Sequence, residues 1–489
     1  MRFGSFEIDK DRFILLLIVA ICAAGLAIGV MWAYESLEAK WFAAAVVILV
    51  VVWGALLLHR HLESFLLYLF CFILPVDPDF HFSYEKITAG CKGLSLSASD
   101  TILCVLFLIW FLKLLNRSPE KRSIRMLPMI NIPFMALIGW YILFAFHATD
   151  SLLSVFEIVQ WIKTWFLFLY LANNLEEKHL VGMGLGFCAG VLLQGPITFG
   201  QYFMGKTFDL QIFGETKHSL VVQNIGDAEL SRVGGTLGHP NGLSLFLSVM
   251  IPFVAAFGFS TKSRWALFLS SVTLMVGVGA LVLSFARGGW LTVGIALPCV
   301  IFLAAWKKWG FYRAFMILII VAILMVIVII PFWGSIAQRL FEEDYGRGYS
   351  RVPLMEVALH IIKRHPFLGV GLNNYMLVMS DYDNTLEQIT LHVPNPVHNL
   401  FLLMAAETGI PSLFFFLWLN LAILKQGWAG FRKGKTIGNF FCLGAIGSLF
   451  SFILHSQVNF NYVASNYYFA LVAGLSGASA FWQKEEKSV

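Results

Sequence analysis

The feature of this sequence that most limits its fold is a series of long apolar runs separated by short polar segments. A helix needs about 20 mostly apolar residues to cross the hydrocarbon core of a bilayer. Backbone polar groups inside lipid must be paired within the spanning structure, which favours helices. The runs therefore predict an all-α, polytopic transmembrane helix bundle of about 12–14 spans. Candidate spans lie near 13–34, 41–58, 62–76, 100–115, 127–147, 152–173, 179–203, 241–259, 264–284, 289–306, 312–333, 398–424, 437–457 and 465–482.

The composition agrees with a membrane protein and excludes several other classes. Hydrophobic residues make up 58% of the 489 residues and charged residues 13%, whereas soluble proteins average about 25% charged residues. The net charge of +5 reflects basic loops, so membrane lipids are expected as surroundings and nucleic acid is not expected as a partner. Six of the seven cysteines lie in apolar runs, which leaves no disulfide framework and no paired-cysteine metal site. We expect one transmembrane domain over residues 1–489.

Lys and Arg in the connecting segments predict the orientation. Basic clusters at 114–125, 307–313 and 425–435 fall on the side of the N-terminus if the spans alternate. Cytoplasmic loops carry the excess of basic residues in membrane proteins, so both termini are predicted to be cytoplasmic. The apolar run after residue 12 has no small-residue cleavage site, which predicts a retained first helix instead of a removed signal peptide.

The longest connecting segments then face the outside, at 77–99, 204–240 and 334–396. Residues 334–396 are predicted to form the largest of these external loops, which we call the large loop. Within it, VPLMEVALHIIKRHP has apolar residues at helical spacing, with Pro353 suited to a first turn and Pro366 to a stop. This pattern predicts a short amphipathic helix that lies on the membrane surface or caps a cavity.

Four basic or titratable residues from distant parts of the sequence fall on this outer side. Arg232 opens RVGGTLGHPNG, Arg287 lies in LSFARGGW, Arg351 precedes the amphipathic helix, and His398 begins a span. Guanidinium groups match the geometry of phosphate oxygens, and a histidine can accept a proton from an attacking hydroxyl near neutral pH. Together these residues predict an external diphosphate site with a general base.

The segment 232–242 adds a backbone contribution to this hypothesis. Gly234, Gly235 and Gly238 would let amides approach an anionic ligand, and a helix that begins near Asn241 would point its N-terminal amides the same way. A glycine-rich segment before a helix is also commonly just a turn, and a single arginine at a helix end usually reaches lipid headgroups.

Other polar features have structural interpretations that compete with functional ones. Glu157, Gln160, Lys163 and Glu407 lie within spans and should face the bundle interior, because burying such groups in lipid is costly. The D-x-D pair in 77–79 is read as a turn, since no other metal-ligand cluster supports it. GMGLGFCAG is typical of close helix packing, and QGPITFG (194–200) would suit a broken helix. No GxSxG, HExxH or Walker motif is present.

The chain resembles the O-antigen ligase and O-antigen polymerase superfamily of bacterial envelope proteins. The resemblance covers roughly residues 190–425 and rests on four stretches in the same order and loop placement. These are SRVGGTLGHPNGLSLFL, LSFARGGW, SRVPLMEVALHIIKRHPFLGVGLNNY and VHNLFLLMAAETGI. The resemblance implies a metal-independent, inverting glycosyltransferase without a cofactor. Such enzymes work at the periplasmic face of the inner membrane and move a glycan from undecaprenyl diphosphate to an acceptor sugar hydroxyl.

The resemblance also implies roles for individual residues. Arg232 and Arg287 match arginines that bind the donor diphosphate, and His398 matches a histidine that assists deprotonation of the acceptor. Arg351 is expected to be a supporting contact. His239, Asn241 and Asn399 are expected to be further substrate contacts.

Three functions remain open at this stage. A repeat-unit polymerase, which would use a lipid-linked acceptor and a chain-length regulator, is favoured because two polar loops could hold two sugar chains. A ligase that transfers the glycan to lipid A–core shares the same motifs. A transporter or flippase predicts internal repeats and a substrate site near the bilayer midplane on broken helices, and the 194–200 segment keeps that alternative open.

Overall fold

A computed structural model describes residues 61–76, 80–82, 93–116, 123–225, 228–341, 351–459 and 467–482. The candidate spans near 13–34 and 41–58 and the D-x-D pair at 77–79 lie outside these residues. The helices are α1 (Leu62–Ile73), α2 (Ala98–Asn116), α3 (Pro128–Phe144), α4 (Ser151–Asn174), α5 (Glu177–Met204), α6 (Pro240–Ser260), α7 (Arg264–Leu283), α8 (Arg287–Trp309), α9 (Phe311–Ile329), α10 (Trp333–Phe341), α11 (Arg351–Arg364), α12 (Tyr375–Val378), α13 (Ile389–His392), α14 (Leu400–Lys433), α15 (Ile437–His455) and α16 (Tyr467–Ala478).

The helical elements match the apolar runs of the sequence. In the described part of the chain, ten helical segments are long and apolar enough to cross a membrane. Two shorter apolar helical segments, Leu62–Val76 and Tyr467–Ala478, coincide with the remaining predicted spans. The prediction of an all-α, polytopic bundle is confirmed.

Helix α6 is the central element of the bundle. Its sequence is apolar on all sides, and almost every residue from Leu243 to Phe259 is buried, as expected for a helix surrounded by other helices. Helix α15 packs closely along it because Gly444 and Gly447 allow its backbone to approach Phe253 and Pro252. The residues that begin α6 are therefore held in place by a helix that is packed on all sides.

Hydrogen bonds between connecting segments bring several helix ends together at one end of the bundle, which we call the site end. Gln194 of α5 donates to the Thr236 hydroxyl at 2.7 Å, and the Leu400 amide donates to the Ser456 carbonyl at 2.9 Å. The Thr149 amide donates to the Val370 carbonyl at 3.3 Å. The segments that precede α6, α8 and α14 lie at this end.

Two antiparallel hairpins stand in connecting segments that the sequence analysis treated only as loops. Strand β1 (Phe80–Phe82) pairs with β2 (Leu94–Leu96). Strand β3 (Leu220–Ile225) pairs with β4 (Ala228–Val233), with Val221 opposite Arg232. Arg232 thus lies on a strand instead of opening a loop.

Residues 351–397 of the large loop and its junction share an apolar cluster with the start of α14. Helix α11 occupies the predicted amphipathic position and buries Leu354, Val357, Ala358 and Ile361. These side chains join Tyr375, Met376, Val397, Leu403 and Ala406 in a separate cluster. The helix is confirmed, and its apolar face packs against the first turns of α14.

Helix α14 is broken at Gly409, which has φ 81° and ψ 169°. The large loop fills the break, because the Ile410 amide donates to the Pro366 carbonyl at 2.8 Å and the Gly371 amide donates to the Glu407 carbonyl at 2.8 Å. The broken helix considered at 194–200 is wrong, since α5 runs without interruption from Glu177 to Met204. Its Pro196 lies inside the helix.

Candidate active site

Arg232 is buried at the site end and is oriented by two hydrogen bonds. Its Nε donates to the Ser284 carbonyl at 3.1 Å, and its Nη2 donates to the Asn241 Oδ1 at 3.0 Å. Its exposed fraction is 8%. Strand β4, the α7–α8 turn and the first turn of α6 therefore meet at one guanidinium, whose planar donors match phosphate oxygens.

Arg287 is the first residue of α8 and follows a very tight turn from α7. Helix α7 ends at Leu283, and Phe285 adopts a left-handed conformation with φ 49°, which is strained for a bulky residue. The buried Phe285 ring packs against Tyr202 and Trp290, which stabilises the turn. Because Arg232 bonds to Ser284, the same turn positions both arginines.

Several backbone amides of segment 234–242 donate hydrogen bonds to other groups of the protein. The Gly235 amide donates to Gln201 Oε1 at 2.9 Å, and the Thr236 amide donates to Gln194 Oε1 at 3.1 Å. The Gly234 amide donates to the Ser219 carbonyl. The expectation that the Gly234 and Gly235 amides face an anionic ligand is therefore wrong, because buried amides must be paired and these find protein partners.

His239 caps α6, which begins at Pro240 as the sequence predicts to within one residue. The Asn241 amide donates to the His239 Nδ1 at 3.1 Å. An acceptor at Nδ1 requires the neutral tautomer, whose proton is on Nε2. Burial lowers the pKa of His239 to about 4, and the positive charges of Arg232, His218 and His398 act in the same direction.

His398 directly precedes α14 and is positioned by Asn399. The Asn399 Oδ1 accepts hydrogen bonds from the Phe401 and Leu402 amides at 3.0 and 3.1 Å. Asn399 is thus the N-cap of α14. Burial, together with the nearby positive charge of Arg351, lowers the pKa of His398 to about 4. At neutral pH the His398 imidazole is uncharged and able to accept a proton.

The structure brings the predicted site residues to one region from four separate elements. Arg232 and His398 both influence the pKa of His239, and Arg351 influences that of His398. The Arg287 turn adjoins Arg232 through Ser284. Asn241 and Asn399 lie in the same region, where their side chains orient Arg232 and the start of α14.

The polar residues inside the spans face the interior, as expected. Glu157, Gln160 and Glu407 are 2–4% exposed. Lys163 Nζ forms an ion pair with Asp100 at 2.7 Å. The Glu407 Oε1 accepts from the Tyr375 amide at 3.2 Å, which ties the large loop to α14.

A short polar segment at the end of α15, HSQVN (455–459), was missed by the sequence analysis. The Asn459 Oδ1 accepts from Asn241 Nδ2 at 3.1 Å, and the Gln457 Oε1 accepts from Asn399 Nδ2 at 3.2 Å. Its signal in the sequence was a run of polar residues directly after an apolar span on the predicted outer side. Within the described ranges, no group of three or more His, Cys, Asp and Glu side chains is arranged to hold a metal ion.

Comparison with known proteins supports the resemblance. The family model for the O-antigen ligase matches residues 272–417, which is less than a third of the chain and includes Arg287, Arg351 and His398. A search of curated proteins found no match. Residues 272–417 are therefore similar to the O-antigen ligase family, and the multi-pass helical architecture agrees with that similarity.

Proposed function

We propose that the protein is a glycosyltransferase that moves a glycan from undecaprenyl diphosphate to a hydroxyl of an acceptor sugar. The observation that carries this proposal is the meeting of three elements at the site end. Arg232 on β4 and the Arg287 turn share the Ser284 contact, and His398 lies close enough to His239 to affect its pKa. Fixed positive charge beside a neutral imidazole suits a reaction with an anionic leaving group and a hydroxyl nucleophile.

The proposed reaction is a single displacement with inversion. The acceptor hydroxyl oxygen attacks the anomeric carbon from the face opposite the diphosphate, and its proton passes to the His398 imidazole. The bond between the anomeric carbon and the diphosphate oxygen breaks, and its electron pair leaves with the lipid diphosphate. Arg232 and Arg287 stabilise the charge that develops on this leaving group.

The remaining site residues support these steps. Arg351 lies near His398 and would contact the diphosphate or the glycan. His239, with a proton on Nε2, would donate a hydrogen bond to a substrate oxygen. Asn241 and Asn399 would act by orienting Arg232 and the His398 segment. The reaction needs no metal and no cofactor, so full activity is expected in the presence of EDTA.

The setting proposed for the reaction is the periplasmic face of the bacterial inner membrane, with both termini in the cytoplasm. A polymerase that uses a lipid-linked acceptor, together with a chain-length regulator, is preferred over a ligase that uses lipid A–core. The support is the size of the polar segments around the site, where the β3–β4 hairpin and the large loop could contact two sugar chains.

Deletion of the gene followed by electrophoresis of the surface glycans tests this function. Loss of a polymerase leaves acceptors that carry a single repeat unit. Loss of a ligase leaves bare acceptors and polymer that remains on the lipid carrier. Unchanged surface glycans would contradict both versions of the proposal.

A further inference from the structure

The segment His455–Asn459 contacts the first turns of α6 and α8 and the residues that begin α14. It follows α15, whose packing along the central α6 fixes it in place. It lies outside residues 272–417, which match the family model, and it contains none of the residues to which a catalytic role was assigned above. Its side chains and backbone form two separate branches of hydrogen bonds.

The first branch leads to the diphosphate side of the site. The Asn459 Oδ1 accepts from Asn241 Nδ2 at 3.1 Å, and the Asn241 Oδ1 accepts from Arg232 Nη2 at 3.0 Å. Asn459 is 8% exposed, so loss of its carboxamide would leave a partly buried Asn241 donor without this partner. The orientation of Arg232 therefore depends on Asn459 through one intervening side chain.

The second branch leads to the acceptor side. The Gln457 Oε1 accepts from Asn399 Nδ2 at 3.2 Å, and the Leu400 amide donates to the Ser456 carbonyl at 2.9 Å. Asn399 caps α14 and directly follows His398. The position of His398 therefore depends on Gln457 through the N-cap residue.

His455, the first residue of the segment, is fully buried and contacts α6 and α8. Its Nε2 lies 3.2 Å from the Ser244 Oγ of α6, and its ring lies beside Gly288, the residue after Arg287. A Cβ on Gly288 would overlap Val458, and one on Gly289 would overlap Ser244. The start of α8 thus packs directly on the 455–459 segment, which extends the contacts of this segment to Arg287.

We propose that His455–Asn459 is a positioning segment that sets the diphosphate-binding arginines and the acceptor histidine in a fixed relation, with Asn459 serving the donor side and Gln457 the acceptor side. This inference rests on the proposed function. None of the five residues is required to touch the reacting atoms. The two branches share a backbone and differ in the substrate that they affect.

The test measures initial rates of transfer by the purified full-length protein, with the lipid-diphosphate donor and the acceptor varied in turn. Asn459→Ala is expected to raise the KM for the donor about three- to tenfold with little change for the acceptor, as expected for loss of one orienting hydrogen bond. Gln457→Ala is expected to raise the KM for the acceptor by a similar factor and to leave the KM for the donor near that of the wild type.

Double variants separate positioning from a general structural effect. Asn459→Ala combined with Asn241→Ala should raise the KM for the donor no more than the worse single variant does, because both residues lie in one branch. The same holds for the KM for the acceptor and Gln457→Ala with Asn399→Ala. Asn459→Ala combined with Gln457→Ala should multiply the two effects, because the branches are separate.

Asn439→Ala is the matched control, since Asn439 is a buried asparagine on the same α15 that donates to the Gly430 carbonyl at 2.7 Å. Its donor and acceptor KM values should not change. If the alanine variants fail to fold, Asn459→Gln and Gln457→Asn, which displace the amide by one methylene group, provide the same test. If the Asn459 and Gln457 variants changed the KM for both substrates equally, the inference would be overturned and the proposed function would stand. Absence of transfer by the wild type would overturn both.

Discussion

The two arginines of the site are positioned by different means. Arg232 is buried and bonded to Ser284 and Asn241, so its guanidinium has a fixed orientation before substrate binds. Arg287 is partly exposed and begins α8, two residues after the strained Phe285. Preorganised charge stabilises a transition state without the cost of reorganisation, and Arg232 has this property most clearly.

Arg232→Lys should therefore be damaging although it keeps the charge. A lysine ammonium is a point charge and cannot reproduce the planar fork that contacts Ser284 and Asn241. We expect transfer rates to fall about tenfold or more for Arg232→Lys and about 10²–10³-fold for Arg232→Ala. Arg264→Lys at the opposite end of α7 is the matched control and should have no effect. An Arg232→Ala variant within twofold of the wild-type rate would exclude the assigned role.

The pH dependence of the reaction should reflect His398. The neutral imidazole is the active form, so protonation abolishes activity as pH falls through its pKa. Because burial and Arg351 lower that pKa to about 4, kcat/KM should stay constant from pH 7 to about pH 5 and fall only below that.

His239 has a similarly low pKa, so the profile is measured in parallel on His239→Gln, in which only His398 of the pair can titrate. The low-pH decrease should persist in this variant. A decrease that begins near pH 6.5 would mean that His398 is more accessible to water than the structure indicates.

At the scale of elements, the break in α14 is the feature that joins the large loop to the bundle. Gly409 has a positive φ, and the 366–371 segment of the loop supplies hydrogen bonds that the interrupted helix cannot make for itself. Helix α11 packs on the short first part of α14, from Leu400 to Thr408. The break thus fixes the large loop close to His398.

Gly409→Ala should disrupt the contact between the large loop and α14. A Cβ at this position would overlap the Phe367 carbonyl, and the positive φ adds about 1–2 kcal/mol of backbone strain. We expect a lower melting temperature of the purified protein and faster proteolysis within 366–397. Gly294→Ala is the control, since nothing lies within 4 Å of its added Cβ. Equal stability of the two variants would show that the loop does not depend on the break.

At the scale of the whole molecule, the helices present two distinct ends. The site end carries the β3–β4 hairpin, the large loop and the 455–459 segment. The opposite end carries the short turns around Ser263, Gly310 and Lys435. The proposed orientation places the site end in the periplasm.

Labelling with a membrane-impermeant maleimide tests this orientation. In a variant whose native cysteines are replaced, a cysteine at the fully exposed Leu386 of the large loop should react in cells whose outer membrane has been permeabilised. A cysteine in place of Lys435 should react only after the cells are lysed. The reverse pattern would place the site in the cytoplasm and contradict the use of a periplasmic donor.

Local sequence patterns predict the spans that the structure describes, the α11 helix and the proposed site residues Arg232, Arg287, Arg351 and His398. These follow from local patterns, because apolar length, helical spacing and charge at helix ends are properties of neighbouring residues. Only the folded structure shows which side chains hydrogen-bond to distant parts of the protein. Asn241 bonds to Asn459 across 218 positions, and Gly409 accommodates a distant loop. Such contacts depend on how helices pack, and no local pattern encodes that packing.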